Sequence, residues 1–285
     1  MKKVFSSAKE IFHYVIASLD HYDLREGASI AFNILEYFGI SRTDVLTGKL
    51  EQFNLGEELH SIIYRLNNWE PIQYVLGKAD FYGKKFIVND SVLIPRQETE
   101  ELVKLIADDY HSVSELKILD IGTGSGCIAV TLATLLPSAE VHALDKSKEA
   151  IKTASENASL NKVQIEFHQI DILNPQGLEL PALDIIVSNP PYVMEKERKE
   201  MKQNVLQFEP SMALFVPDEN PLMFYQSILT FSTSHLKESG ACYFEINEKL
   251  GNELQQHMID QGWKNVQIIK DLNGKDRFIK GIKTK

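Results

Sequence analysis

From Leu116 onward, apolar runs of strand length alternate with amphipathic segments of helix length, and this alternation restricts the possible folds more than any other feature of the chain. The pattern predicts strands at 117–121, 140–144, 164–169, 183–188, 241–246, 266–270 and 277–282. Helices fall between the first five, for instance at 150–160 and 221–236. Strand and helix in strict succession specify an α/β architecture, a parallel sheet covered by crossover helices. The last two strands are joined by Leu272-Asn273-Gly274-Lys275, and Asn-Gly is a strong hairpin signal. One antiparallel strand is therefore expected at the C-terminal end of the sheet.

The part before Leu116 reads differently. Ala8, Ile11, Phe12, Val15, Ile16 and Leu19 share a helical face, as do Ala28, Ala31, Ile34, Leu35 and Phe38, with Gly39 as a stop. Leu59, Ile62, Ile63 and Leu66 form a further stripe before Pro71. No strand signal interrupts this region, so a small helical bundle is expected over 1–77, for packing or partner recognition. His13, His21 and His60 lie there without partner residues at ligand spacing. The runs 81–88 and 92–95, separated by Asn89-Asp90-Ser91, predict a β-hairpin in a linker spanning 78–95. A catalytic domain of 96–285 follows, opening on an amphipathic helix from Gln97 with acidic residues in its first turn.

Composition sets outer limits. A length of 285 residues suits two domains, and 44% hydrophobic with 25% charged residues is ordinary for a water-soluble globular protein. No apolar run reaches membrane-spanning length, and the N-terminus lacks the apolar core of a signal peptide. Cys127 and Cys242 provide neither a disulfide framework nor a metal set, and a cytoplasmic setting with no metal is expected. The net charge of -10 disfavours general binding to nucleic-acid phosphates and favours a protein or small-molecule substrate.

Two motifs carry the chemistry. The strand at 117–121 runs into Asp120-Ile121-Gly122-Thr123-Gly124-Ser125-Gly126, where glycines allow a tight turn and close approach of a ligand. The spacing departs from the dinucleotide fingerprint, and no P-loop Lys-Ser/Thr follows. Asp120 suits a ligand's ammonium group better than a pyrophosphate. Asp145, at the end of the next strand, is placed to accept ribose hydroxyls. Asp171 ends the third strand beside Ile172, where it can accept from an adenine amino group while Ile172 packs the ring. Three acids at three successive strand ends suit S-adenosylmethionine, a nucleoside with an amino-acid tail, a sulfonium charge and no phosphate. The second motif, Asn189-Pro190-Pro191-Tyr192, ends the run 185–188. Its prolines cannot continue a ladder, so they brace a stiff corner that offers the Asn189 side chain and free carbonyls.

Through these two motifs the chain resembles the class I S-adenosylmethionine-dependent methyltransferases, with their Rossmann-like seven-stranded sheet. More narrowly it resembles the PrmC/HemK family, the release-factor glutamine N5-methyltransferases. That likeness rests on Glu70-Pro71-Ile72-Gln73-Tyr74-Val75-Leu76-Gly77, Leu93-Ile94-Pro95-Arg96-Gln97-Glu98-Thr99-Glu100, Phe208-Glu209-Pro210 and the segment Asp271–Phe278. Gln97 stands where many members carry a second proline, and Ile172 where some place a tryptophan.

The resemblance implies methylation of the glutamine amide in the Gly-Gly-Gln tip of peptide chain release factors, leaving S-adenosylhomocysteine. It implies that Asn189 Oδ1 and the Pro190 carbonyl accept N–H groups of the substrate amide, that Asn189 also borders the cofactor, and that Pro191 and Tyr192 bound the substrate pocket. A helical N-terminal domain that grips the release factor, no direct nucleic-acid contact and a monomer are further expectations. The same tetrad occurs in N6-adenine DNA or RNA methyltransferases, which are the alternative. A cofactor-binding protein without catalysis would have no need of it. Cys127, Cys242, His142 and His168 read as packing residues. Glu98 and Glu100 fit either a solvated helix face or the cofactor entrance. Residues 195–200 read as a solvated, mobile helix that could serve as a lid.

Overall fold

The structure, a computed structural model, describes residues 4–284. The chain divides into two compact units, one of Met1–Gly77 with Lys202–Phe208, the other of Lys78–Met201 with Glu209–Lys285.

In the first unit, strand β1 (Phe5–Ser7) precedes helices α1 (Ala8–Ala17), α2 (Leu24–Tyr37) and α3 (Arg42–Thr47). Strand β2 (Leu50–Phe53) and helices α4 (Gly56–Asn67) and α5 (Ile72–Leu76) follow. Side-chain oxygens of Ser7, Asp23 and Ser41 cap the first three helices by accepting otherwise unpaired N–H groups. The apolar stripes of α1, α2 and α4, among them Ile11, Val15, Ile34, Leu35, Ile62 and Leu66, meet in one core. The expectation of an uninterrupted helical region is corrected here: β1 and β2 pair antiparallel. Both strands are too short, and β2 too exposed, to leave a period-two signature.

The second unit begins with a hairpin of β3 (Lys78–Phe81) and β4 (Lys84–Ile87). Its turn is Tyr82-Gly83, both at positive φ (50° and 70°), the backbone that two-residue hairpins favour. This corrects the expected hairpin around Asn89-Asp90-Ser91. Val92–Pro95 is not a strand, although Val92 and Ile94 are buried and the residues between and after them less so, a burial pattern that mimics strand alternation.

Then come α6 (Gln97–Tyr110), β5 (Lys117–Ile121), α7 (Cys127–Leu135), β6 (Glu140–Asp145), α8 (Lys148–Leu160), β7 (Glu166–Gln169) and β8 (Leu183–Ser188). After the short pieces β9 (Val193–Met194), α9 (Gln203–Phe208, grouped with the first unit) and β10 (Phe215–Val216) follow α10 (Met223–His235), β11 (Leu236–Glu245), α11 (Gly251–Asp260), β12 (Lys264–Lys270) and β13 (Asp276–Ile282). The seven-stranded sheet has the order β12-β13-β11-β8-β5-β6-β7, with β13 antiparallel to both neighbours. This is the expected α/β sheet with its antiparallel C-terminal strand.

Alternate residues of the central strands feed two apolar layers. Ile118, Ile185 and Val187 pack with α6 and α7, while Leu119, Ile121 and Ile186 pack with α10 and α11. Burial on both faces explains why these strands read as continuous apolar runs. Strand β5 is the switch point, with β6 to one side and β8 to the other, and ligands of such sheets bind beyond the C-terminal ends there. Among the described residues no helix is long and apolar enough to cross a membrane.

Candidate active site

Register brings the two motifs together. Ile121 of β5 pairs with Ser188 of β8, and the Ser188 hydroxyl donates to the Ile121 carbonyl at 2.6 Å. The chain after each strand therefore emerges side by side, Gly122 from one and Asn189 from the other. They open on a cavity of about 390 Å³ formed wholly by the second unit. Gly122, Thr123, Gly124, Ser125, Asp145, Asp171, Ile172, Asn189, Pro190 and Pro191 all line it. Asp120, Gly126 and Tyr192 do not; they stand behind the wall.

The glycine turn follows from backbone chemistry. Gly122, Gly124 and Gly126 have φ of 72°, 54° and 79°, where a side chain is strained. The space a Cβ would occupy is open at Gly122 and Gly124, forming a cradle, whereas at Gly126 it is taken by Ala154. The N–H groups of Gly122 and Thr123 both donate to the Leu144 carbonyl, and Gly124 N–H donates to Asp145 Oδ2 at 2.9 Å. Asp145 also accepts from Ser147 N–H, so each oxygen keeps accepting capacity toward the cavity. Burial raises its pKa against those bonds.

Asp120 is fully buried. Its Oδ2 accepts from the Thr123 hydroxyl (2.6 Å) and Ala129 N–H (3.2 Å), while Oδ1 has no partner. Burial pushes its pKa up to about 7, with Asp145 adding repulsion. Though it lies behind the wall, an orphaned carboxylate two residues before the open glycine cradle supplies negative charge that would attract a ligand ammonium. Asp171 is differently placed: its Oδ2 meets Lys146 Nζ at 2.8 Å and its Oδ1 accepts from Leu173 N–H. Burial alone would raise the Asp171 carboxyl, but these bonds outweigh it and hold it below the usual range. Ile172 is buried in the cavity wall beside it.

The Asn189 corner is held by residues that sequence reasoning missed. Asn189 Nδ2 donates to Thr99 Oγ1 at 3.2 Å, Thr99 Oγ1 donates to Glu245 Oε2 at 2.6 Å, and the half-buried Tyr192 hydroxyl donates to Glu245 Oε1 at 3.0 Å. Burial raises the pKa of Glu245, and burial with the neighbouring Glu245 charge raises that of Tyr192. An acid inside the apolar run Ala241-Cys242-Tyr243-Phe244-Glu245-Ile246 was the available signal. Arg96, also in the wall, donates from Nη2 to both oxygens of buried Glu209 at 2.7 Å.

Several expectations can now be placed. Glu98 and Glu100 do not line the cavity; Glu100 accepts the Tyr82 N–H at 2.8 Å and so holds the hairpin turn. Residues Glu195–Glu200 form a 3₁₀ helix that is not simply solvated, because Glu197 accepts from Met194 N–H, Asn247 and Lys249. Burial pushes the thiols of Cys127 and Cys242 up to about 12, which suits packing residues. His142 and His168 contact each other across β6 and β7, with ring nitrogens 3.4 Å apart.

Comparison with known proteins bears on the same elements. The Methyltransferase small domain family matches residues 97–210. The chain is 44% identical over 274 residues to the release factor glutamine methyltransferase of Flavobacterium psychrophilum, covering 94% of this chain and 95% of that protein. It is 43% identical over 270 residues to the one of Bacteroides thetaiotaomicron, covering 93% and 96%. Among solved structures, a methyltransferase from Pyrococcus furiosus shares the fold with a TM-score of 0.52 at 18% identity, over 72% of this chain and 91% of that one.

Proposed function

The chain belongs to the family of release factor glutamine methyltransferases, and from that premise we propose that it methylates the side-chain amide nitrogen of the glutamine in the Gly-Gly-Gln tip of a peptide chain release factor. The observation that carries this reading is the Ile121–Ser188 pairing, which sets the glycine cradle and the Asn189-Pro190 corner on one cavity.

The residues present fit S-adenosylmethionine, which supplies an electrophilic methyl group on a sulfonium sulfur when bound. The buried Asp120, whose Oδ1 is unpaired, would attract its ammonium from behind the glycine turn. Asp145, in the cavity wall, would take its ribose hydroxyls, and Ile172 would wall its adenine, with Asp171 at the ring's edge. Gly122 and Gly124 leave room for the ligand where any Cβ would intrude.

An amide nitrogen is a weak nucleophile because its lone pair is delocalised into the carbonyl. Asn189 Oδ1 and the Pro190 carbonyl would each accept one N–H of the substrate amide, fixing the nitrogen and stabilising the positive charge it gains as the new N–C bond replaces the methyl–sulfonium bond. The surplus N–H proton would then leave to solvent, giving the neutral N-methyl amide and S-adenosylhomocysteine. Pro191 helps shape the cavity wall, and Tyr192, behind the wall, would brace the corner through its hydrogen bond to Glu245. No group in the tetrad is a strong base, so positioning and electrostatics supply the acceleration. The helical first unit is the candidate for recognising the release factor, and the chain would act as a monomer without nucleic acid.

The test is to incubate the protein with S-adenosylmethionine carrying a labelled methyl group, and either a release factor or DNA. Label on the release-factor glutamine is expected, with a loss of roughly 10²–10³ in rate for Asn189→Ala. Label on DNA alone would overturn the reading, and full activity of Asn189→Ala would remove the role given to that side chain.

A further inference from the structure

A side-chain amide can present either its oxygen or its NH₂ group in a given direction, and only its hydrogen bonds decide which. At Asn189 the choice determines whether the cavity meets an acceptor or a donor. A substrate NH₂ group needs the acceptor; a second NH₂ facing it would repel it.

The choice is made two residues away. Glu245 ends β11 and is 1% exposed, so its two oxygens depend on protein donors. One takes the Tyr192 hydroxyl and the other the Thr99 hydroxyl. A hydroxyl has one proton. With that proton committed to Glu245, the Thr99 oxygen can only accept from a further neighbour. That neighbour is Asn189, which must offer Nδ2. Its Oδ1 is then turned away from Thr99 and left for the cavity.

We propose that Thr99 and Glu245 are positioning residues that orient the Asn189 amide, the Glu245 carboxylate holding Asn189 through Thr99 with one oxygen and Tyr192 directly with the other. One buried carboxylate thereby sets both ends of the Asn189–Tyr192 corner, from strands and a helix far apart in sequence: Thr99 on α6, Glu245 on β11 and the corner after β8. The catalytic consequence rests on the proposed glutamine methylation, whereas the orientation itself follows from the hydrogen bonds alone.

The experiment compares wild type, Thr99→Val, Thr99→Ser and Glu245→Gln by two readouts. The first is NMR of the Asn189 side-chain NH₂ group, assigned by its loss in Asn189→Asp, and of the Tyr192 ring, assigned by its loss in Tyr192→Phe. Valine matches threonine in shape but removes the acceptor, so the Asn189 NH₂ signals should shift and exchange faster with water. Serine keeps the acceptor and should leave them in place. Glutamine at 245 has one accepting oxygen instead of two, so at least one of the Thr99 and Tyr192 hydroxyls loses its acceptor. Glu245→Gln should therefore perturb the Asn189 or Tyr192 signals, and it serves in place of Thr99→Val should that variant fail to fold. The second readout is methyl transfer to the release factor. Thr99→Val should lower kcat by about 10²-fold while KM and S-adenosylhomocysteine affinity stay within a few fold, and Thr99→Ser should restore kcat.

Unshifted Asn189 signals in folded Thr99→Val, or unshifted Asn189 and Tyr192 signals in Glu245→Gln, would overturn the proposal. A Thr99→Val enzyme with wild-type kcat would do the same. Should wild type transfer no methyl group to a release factor, the function proposed above fails, and the NMR readout still decides the orientation.

Discussion

Asn157 and Ile87 exchange two hydrogen bonds: Ile87 N–H donates to Asn157 Oδ1 at 2.6 Å, and Asn157 Nδ2 donates to the Ile87 carbonyl at 2.9 Å. The second proton of Nδ2 goes to the Ser125 carbonyl, also at 2.9 Å. A buried side chain of α8 thus completes the backbone of the β3–β4 hairpin and pins the glycine turn against it.

Asn157→Leu leaves three backbone groups without these partners. Each unsatisfied buried group costs about 1–3 kcal/mol, and partial relaxation should bring the net loss to about 2–4 kcal/mol. Urea unfolding should show the lowered midpoint. Loosening Ser125 should also weaken binding of S-adenosylhomocysteine in calorimetry.

Asp120 predicts a pH dependence whose sign is fixed. With its pKa at about 7 in the folded protein, the carboxyl is neutral at lower pH and ionised above. A ligand ammonium favours the ionised form, so affinity for S-adenosylhomocysteine should rise about tenfold between pH 6 and pH 8, and Asp120→Asn should flatten that rise. Stability of the free protein runs the opposite way. The unfolded carboxyl ionises near pH 3.9, so the contribution of Asp120 is full below that value and is lost as pH rises through about 7. Thermal unfolding of wild type and Asp120→Asn across this range should differ by that slope.

Two glycine substitutions should separate stability from binding. Gly122→Ala and Gly126→Ala each place alanine at positive φ, a cost of about 1–2 kcal/mol. At Gly126 the new Cβ would also meet Ala154 Cβ at 3.0 Å and its Cα at 3.2 Å, whereas at Gly122 nothing lies within 4 Å. Gly126→Ala should therefore be the less stable variant in urea, and Gly122→Ala should retain more stability but lose ligand affinity.

Arg96→Leu should strand the Glu209 carboxylate, whose side chain is 1% exposed. Breaking a buried pair from one side costs about 3–5 kcal/mol, and since Arg96 itself is one-third exposed the loss should be nearer 2–3 kcal/mol. Replacing both by leucine should recover part of it, which a double-mutant cycle in urea would measure.

The hairpin shows where reading from sequence stopped short. The alternation at Val92-Leu93-Ile94 resembles a strand, and burial does alternate there, yet the segment pairs with no strand. The true partner of β4 was β3, whose Lys-Ala-Asp-Phe carries only two apolar residues. Thr99 was visible within Pro95-Arg96-Gln97-Glu98-Thr99-Glu100, but nothing local distinguishes it from a helix-surface threonine.

Sequence alone determined the element types of the second unit, the parallel sheet with its reversed last hairpin, and the two strand-end motifs. These depend on periodicity, glycine and proline, which act over a few neighbouring residues. Tertiary structure alone decided that Asp120 is buried with one oxygen unpaired, that Asp171 is held by Lys146, and that Glu245 reaches Asn189 through Thr99. The Thr99–Glu245 bond joins positions 146 residues apart, and such a pairing leaves no trace in local pattern because only the folded sheet brings its partners within hydrogen-bond reach.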